Sequence, residues 1–294
     1  MTGQRPSTAP LPFRQRRFRG LSLSGFHEIA YTDWGPEDSP STVICVHGLT
    51  RSGRDFDRLA AGLAAQGHRV ICPDLPGRGD SQWLRNTLDY VFPQYCADLG
   101  ALISGIEGRI SWVGTSLGGL IGMVLAGHPG TPIERLVLND IGPDVSMTAA
   151  GKVGLRVAAM PSTFKSLDEA EGYYRRAFVS CGPMNDEQWR EFVDHSLRFD
   201  EKREYYIGRM DPKVATAFNW LWYYQMPLWT YFRKIVAPVM SIRGEQSDFV
   251  PKALVRDMRR AQPALESIEV PGAGHMPMLM SADEISAISS FVKF

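Results

Sequence analysis

Short apolar runs and amphipathic stretches alternate along the first 143 residues and again after residue 232. Residues 42–46, 69–72, 110–113 and 133–138 are rich in Val, Ile, Leu and Cys, the pattern of strands buried on both faces. Between them, residues 56–65 and 95–106 space their apolar side chains at helical intervals, and an apolar helix with many small residues opens at Leu117. Residues 19–23 and 27–33 predict an opening pair of strands. This alternation predicts an α/β fold with a mostly parallel central sheet and helices on both faces. The pattern breaks between residues 144 and 232, where strand signals vanish and residues 168–180 and 187–197 give the clearest amphipathic helices. It resumes with a strand at 239–242, a helix at 252–262, a strand at 267–270 and a last helix at 285–292. The organisation predicted is a polar tail over 1–18, one core built from 19–143 and 233–294, and a helical insertion over 144–232.

Composition narrows the class. Lys plus Arg and Asp plus Glu number 32 each, so the chain carries no net charge and no general attraction to nucleic acid or an anionic membrane. The longest apolar run, 117–126, is too short to span a bilayer. The opening residues have arginines (Arg14, Arg16, Arg17, Arg19) but no apolar stretch after them, which predicts a polar tail and not a secretory signal. Cys45, Cys72, Cys96 and Cys181 lack C-x-x-C spacing; reduced cysteines and a cytoplasmic setting are the expectation.

The chemistry concentrates at Gly114-Thr115-Ser116-Leu117-Gly118, a G-x-S-x-G set between the strand 110–113 and the apolar helix. A serine at a sharp strand-to-helix turn is presented to solvent, and the flanking glycines remove side chains that would clash as the chain reverses. Such a nucleophile needs a base and a carboxylate to orient that base. His275, in a glycine-rich loop after the last strand, is the candidate base; His27, His47, His68, His128 and His195 fall in turns, near helix ends or in the insertion. For the acid, Asp248 follows the strand 239–242 in a loop that can approach the His275 loop, and Asp140, at the end of the strand 133–138, is the rival. Asp248 is preferred on context.

Taken together, Val46-His47-Gly48, Asp74-Leu75-Pro76-Gly77-Arg78-Gly79-Asp80-Ser81, the Ser116 turn, Asp248 and Gly274-His275 resemble the α/β-hydrolase-fold serine hydrolases over nearly the whole core. The resemblance implies that the insertion follows the sixth core strand as a helical cap, and that Ser116, His275 and Asp248 act as nucleophile, base and orienting acid. It also implies an oxyanion hole made by the backbone N–H groups of Leu49 and Leu117, with no metal or organic cofactor. His47-Gly48 is expected to shape that loop, and Asp74, Gly77 and Gly79 to build a turn. Arg51 and Arg78 are candidates for a substrate carboxylate at the pocket mouth, against the alternative of solvated loop arginines. Trp220, Trp222, Tyr223 and Trp229, within an aromatic run at 218–232, are candidates for the wall of an apolar pocket, against the alternative that they fasten the cap to the core.

The implied reaction is cleavage of a small, largely apolar carboxylic ester or lactone through an acyl-enzyme. Relatives with a similar triad also hydrolyse carbon–carbon bonds in ring-fission diketones, and some proteins of this fold only bind ligands. Epoxide hydrolases and haloalkane dehalogenases of the fold use an aspartate nucleophile, so Ser116 weighs against both. The expected partner is a small molecule; the sequence leaves the oligomeric state open.

Overall fold

The computed structural model describes residues 13–218 and 226–293. The core contains strands β1 (Phe13–Ser22), β2 (Gly25–Trp34), β3 (Ser41–Val46), β4 (Arg69–Pro73), β5 (Arg109–Thr115) and β6 (Ile133–Asn139), with helices α1 (Asp57–Ala64), α2 (Phe92–Ser104) and α3 (Leu117–Ala126) between them. The insertion follows β6, as expected, and holds α4 (Met147–Ala158), β7 (Thr163–Phe164), α5 (Leu167–Ala177), α6 (Asp186–Ser196), β8 (Leu197–Asp200), β9 (Tyr205–Gly208), α7 (Pro212–Ala217) and α8 (Leu228–Lys234). The core resumes with β10 (Val239–Gly244), α9 (Lys252–Ala261), β11 (Glu266–Val270) and α10 (Ala282–Val292).

The eight core strands form one sheet in the order β1-β2-β4-β3-β5-β6-β10-β11. Only β1 with β2 and β2 with β4 pair antiparallel; the other ladders are parallel. Successive side chains of a strand point to opposite faces, and here both faces are buried. Ile44 and Val46 enter the apolar cluster that also takes Trp112, Leu120 and Leu136, whereas Val43 and Cys45 enter a second cluster with Leu59, Leu63, Ile288 and Phe291. That two-sided burial is why these strands read as continuous apolar runs.

Two features differ from the sequence reading. Strand β1 begins at Phe13, inside the stretch taken as polar tail, and pairs with β2 over ten residues. Its arginines suit an edge strand: Arg14 and Arg16 lie 3.2 and 3.0 Å from the fully buried Asp33, which Arg69 also reaches at 3.0 Å. The insertion is also not purely helical, since β7, β9 and β8 form a small antiparallel sheet. Among the described residues, no helix is long and apolar enough to cross a membrane.

Candidate active site

The end of β5 and the start of α3 leave a single residue, Ser116, to reverse the chain. Its φ of 50° and ψ of −112° lie where side chains are strained. Its N–H donates to the Asn139 carbonyl at 3.0 Å, which ties the turn to the end of β6. Glycines are required on both sides: a Cβ on Gly114 would stand 2.4 Å from the Gly118 backbone, and one on Gly118 2.1 Å from the Val46 carbonyl. Helix and strand are thus in backbone contact, and Ser116 stands at their crossing.

His275 reaches this serine from the loop after β11. Its Nε2 lies 3.0 Å from Ser116 Oγ, and its Nδ1 lies 2.8 Å from Asp140 Oδ2. A carboxylate on Nδ1 fixes the tautomer with its proton there, so the free Nε2 lone pair faces the serine hydroxyl. Asp140 is fully buried; its Oδ1 accepts the Gly244 N–H at 2.8 Å and its Oδ2 the Ser247 hydroxyl at 2.7 Å. Ser116, Asp140 and Met276, the neighbour of His275, are three of the five non-glycine residues with positive φ among the described residues, which places backbone strain at the site.

The carboxylate on His275 is therefore Asp140, and the preference for Asp248 is corrected. In the turn after β10, Ser247 points inward to Asp140 and Phe249 points inward to stack on the His275 ring at 3.8 Å between centroids. Asp248 between them points outward, where it pairs with Lys152 at 2.8 Å with its side chain 45% exposed. The loop chosen from the sequence does serve the acid, but by supplying its hydrogen-bond donors. Phe249 carried no signal in the sequence beyond its proximity to that loop.

The loop after β3 faces the serine from the other side. A Cβ at Gly48 would lie 3.7 Å from that of Ser116, which puts the next residue, Leu49, beside Ser116. His47 shapes this loop as expected. Its Nε2 accepts the Leu75 N–H at 2.9 Å, so its Nδ1 carries the proton that is shared with the Gly48 carbonyl at 2.6 Å. Complete burial, reinforced by Arg78 and Arg51, lowers the imidazole pKa to about 3 and keeps it neutral. Gly48 C=O and Leu49 N–H belong to one peptide unit, so holding the carbonyl aims the N–H. Leu117 N–H, first in α3, is one of the donors that the helix ladder leaves free. Asp74 binds the N–H groups of Gly53 and Asp80 at 2.7 and 2.8 Å, and Gly77 and Gly79 have φ of 80° and 54°, the turn building expected of them.

A cavity of about 40 Å³ opens on Ser116, lined by Leu49, Leu117, Ile141, Val145, Val153 and Phe249 among others. A larger one, about 360 Å³, lies between residues 50–52 and the cap, with Arg51, Tyr174, His195, Ser196 and Arg209 in its wall. Arg51 is not a free receptor for a carboxylate. Its guanidinium chelates Asp55 at 2.5 to 3.1 Å, donates to Ser196 Oγ and lies 3.4 Å over the Phe192 ring, clamping cap to core. Arg78 faces neither a pocket mouth nor solvent, being fully buried. Trp229 packs edge-on against Phe232 at 5.8 Å and under Arg233, and is not in the wall of the Ser116 cavity; it fastens α8 to the core. Trp220, Trp222 and Tyr223 lie outside the described residues.

Comparison with known proteins supplies the family. Residues 43–288 match the family described as the alpha/beta hydrolase family. The chain is 35% identical to the 3-hydroxybutyrate-oligomer hydrolase of Cupriavidus necator, over 92% of this chain and 94% of that one. It is 25% identical to a pimeloyl-[acyl-carrier protein] methyl ester esterase of Xanthomonas campestris, over 85% and 94%. The solved structure of an alpha/beta hydrolase from Novosphingobium aromaticivorans superposes with a TM-score of 0.84 at 29% identity, covering 97% of this chain and 99% of that one. With the sheet order, the strained serine turn and a family match across most of its length, this chain belongs to the alpha/beta hydrolase family.

Proposed function

We propose that this hydrolase cleaves a carboxylic ester or lactone of a short acyl group through an acyl-enzyme on Ser116. The observation that carries the reading is the continuous relay from Ser116 Oγ through His275 to Asp140, with both links at 3.0 Å or less. His275 Nε2 takes the hydroxyl proton as Oγ attacks the carbonyl carbon, and Asp140 stabilises the imidazolium. The carbonyl oxygen becomes an oxyanion held by the N–H groups of Leu49 and Leu117, the latter aided by the positive end of α3. The imidazolium gives its proton to the leaving alkoxide. Water, deprotonated by the same Nε2, then attacks the acyl-enzyme, and the imidazolium returns that proton to Oγ as the acyl–Oγ bond breaks and the acid leaves. Each step uses protein groups and water alone.

Size and polarity support the substrate class. The cavity on Ser116 is small and walled by aliphatic side chains with Phe218 and Phe249, which suits an acyl unit of a few carbons. The similarity to a hydrolase of 3-hydroxybutyrate oligomers supports a short hydroxyacyl ester as that unit. The test is labelling by a fluorophosphonate, followed by turnover of p-nitrophenyl esters of rising chain length, lactones, hydroxybutyrate oligomers and a ring-fission diketone. Wild-type protein is expected to be labelled and to favour short acyl chains. Ser116→Ala should lose labelling and at least ~10³-fold in rate while keeping its fold. Turnover of the diketone alone would move the reading to carbon–carbon hydrolysis, and a wild-type protein inert to the label would move it to ligand binding.

A further inference from the structure

Arg78 is a fully buried guanidinium that forms no ion pair with a carboxylate among the described residues, an arrangement that carries a desolvation cost. Its Nε–H donates to the Leu49 carbonyl at 2.9 Å. Nη1 donates to the Pro76 carbonyl at 2.6 Å and to Tyr95 Oη at 3.0 Å, and Nη2 has no hydrogen-bond partner among the described residues. The charge rests instead against aromatic faces, with Cζ 4.9 Å from the Tyr95 ring centroid and 6.0 Å from that of Tyr90. The cap closes over it, since Gly79 N–H donates to the Arg209 carbonyl and Asp211 N–H to the Gly77 carbonyl, each at 2.8 to 2.9 Å.

Leu49 is thereby gripped on both sides. His47 holds the Gly48 carbonyl, in the peptide that carries Leu49 N–H, and Arg78 holds the Leu49 carbonyl, in the next peptide. With two consecutive peptide planes fixed, the dihedrals of Leu49 have no freedom to rotate its N–H away from the serine. We propose that Arg78 is a positioning residue of the oxyanion loop: it locks the Leu49 peptides through the Leu49 carbonyl and sets a buried positive charge beside the donor that receives the oxyanion. This inference rests on the hydrolase reading above. A group that acts in this way serves the tetrahedral oxyanion and leaves ground-state binding alone.

The experiment compares wild type with Arg78→Met and Arg78→Lys on a short p-nitrophenyl ester. It also measures inhibition by a trifluoromethyl ketone, which forms a tetrahedral adduct on serine, and by the product carboxylic acid. In Arg78→Met, kcat is expected to fall at least ~10-fold with KM within about 3-fold; ketone affinity should fall in step with kcat/KM while product affinity holds. Arg78→Lys keeps the charge but cannot bridge the Leu49 carbonyl, the Pro76 carbonyl and Tyr95 Oη with the same planar fork, so it should show the same split in smaller measure. Should the Met variant not fold, the Lys variant decides. Wild-type kinetics in a folded variant, or equal losses for ketone and product, would overturn the proposal. Failure of wild type itself to turn over any ester or accept the label would instead remove the hydrolase reading beneath it.

Discussion

Asp140 and Asp248 differ by where one β-strand's geometry puts them. Asp140 directly follows β6, which neighbours β10, so its carboxylate passes over the end of β10 to the His275 loop. Asp248 sits in a turn whose alternation sends it outward, and no feature of the local sequence announces that Ser247, and not Asp248, faces in. Ser116 and His275 were legible as candidates because glycine patterns mark them; Asp140 as the partner of His275 was not, because two aspartates near strand ends compete and only the order of strands in the sheet separates them. Asp140→Asn is expected to lower kcat at least ~10²-fold by losing the group that fixes the imidazole tautomer, whereas Asp248→Asn removes one exposed pair with Lys152 and should stay within about 2-fold. Ester turnover measures both, and the reverse order would return the role to Asp248. His47 gives a second test at this scale. Its folded pKa of about 3 lies below the ordinary 6.5, so between those values the unfolded chain binds a proton that the native state refuses. Its contribution to stability is intact above pH 6.5 and falls as pH drops through that window, by up to about 1.4 kcal/mol per pH unit. Nitrogen-15 NMR should find His47 still neutral with its proton on Nδ1 at pH 5; a midpoint near 6.5 would refute the buried, neutral clamp.

Elements were legible in proportion to their burial and length. The parallel strands β3 to β6 and β10 read directly from apolar runs, and α5 and α6 from helical spacing; the structure adds their caps, where the Ser166 and Asn185 side chains accept the Glu169 and Gln188 N–H groups. The cap sheet was not legible, because β7 has two residues and β8 and β9 four each, too short for a period of two to register. Strand β1 was misplaced at its start for a different reason. Its arginines look like tail, but at alternate positions they reach Asp33 and Glu37, a contact visible only once β2 is laid beside it. The serine turn is the opposite case, an element junction written entirely in local sequence. Gly114, Gly118 and Gly119 crowd so closely that any side chain there meets backbone or Ile141, and the spacing of the three glycines therefore reports the crossing itself.

At the scale of the whole molecule, cap and core are joined by buried polar contacts as well as by apolar packing, and the join runs beside the site. Arg58 bridges Glu191 at 2.8 Å and Arg209 bridges Asp80 at 2.5 Å, but these pairs are partly exposed and contribute little each. Beside the Arg51 clamp, a second buried link is Tyr90. Its hydroxyl donates to Asp211 Oδ2 of the cap at 2.7 Å and accepts the Leu84 N–H at 2.7 Å, and burial followed by the Asp211 contact drives its pKa far up, so it remains a donor at any working pH. Asp211 is itself buried and opens α7, where its other oxygen accepts the Lys213 N–H. Tyr90→Phe keeps the ring against Gly77 and Arg78 yet strips a donor from a buried carboxylate and an acceptor from a buried N–H. Each orphaned group costs about 1–3 kcal/mol, so urea unfolding should show a loss of at least ~1 kcal/mol with an unchanged m-value. Because the same segment, 209–211, pairs with the 77–79 loop that carries Arg78, ester turnover should fall as well, though less than in Arg78→Met. A variant as stable as wild type would mean that water replaces the hydroxyl and that the cap is held by its apolar contacts; a stable loss with full activity would separate the anchoring of the cap from the oxyanion loop.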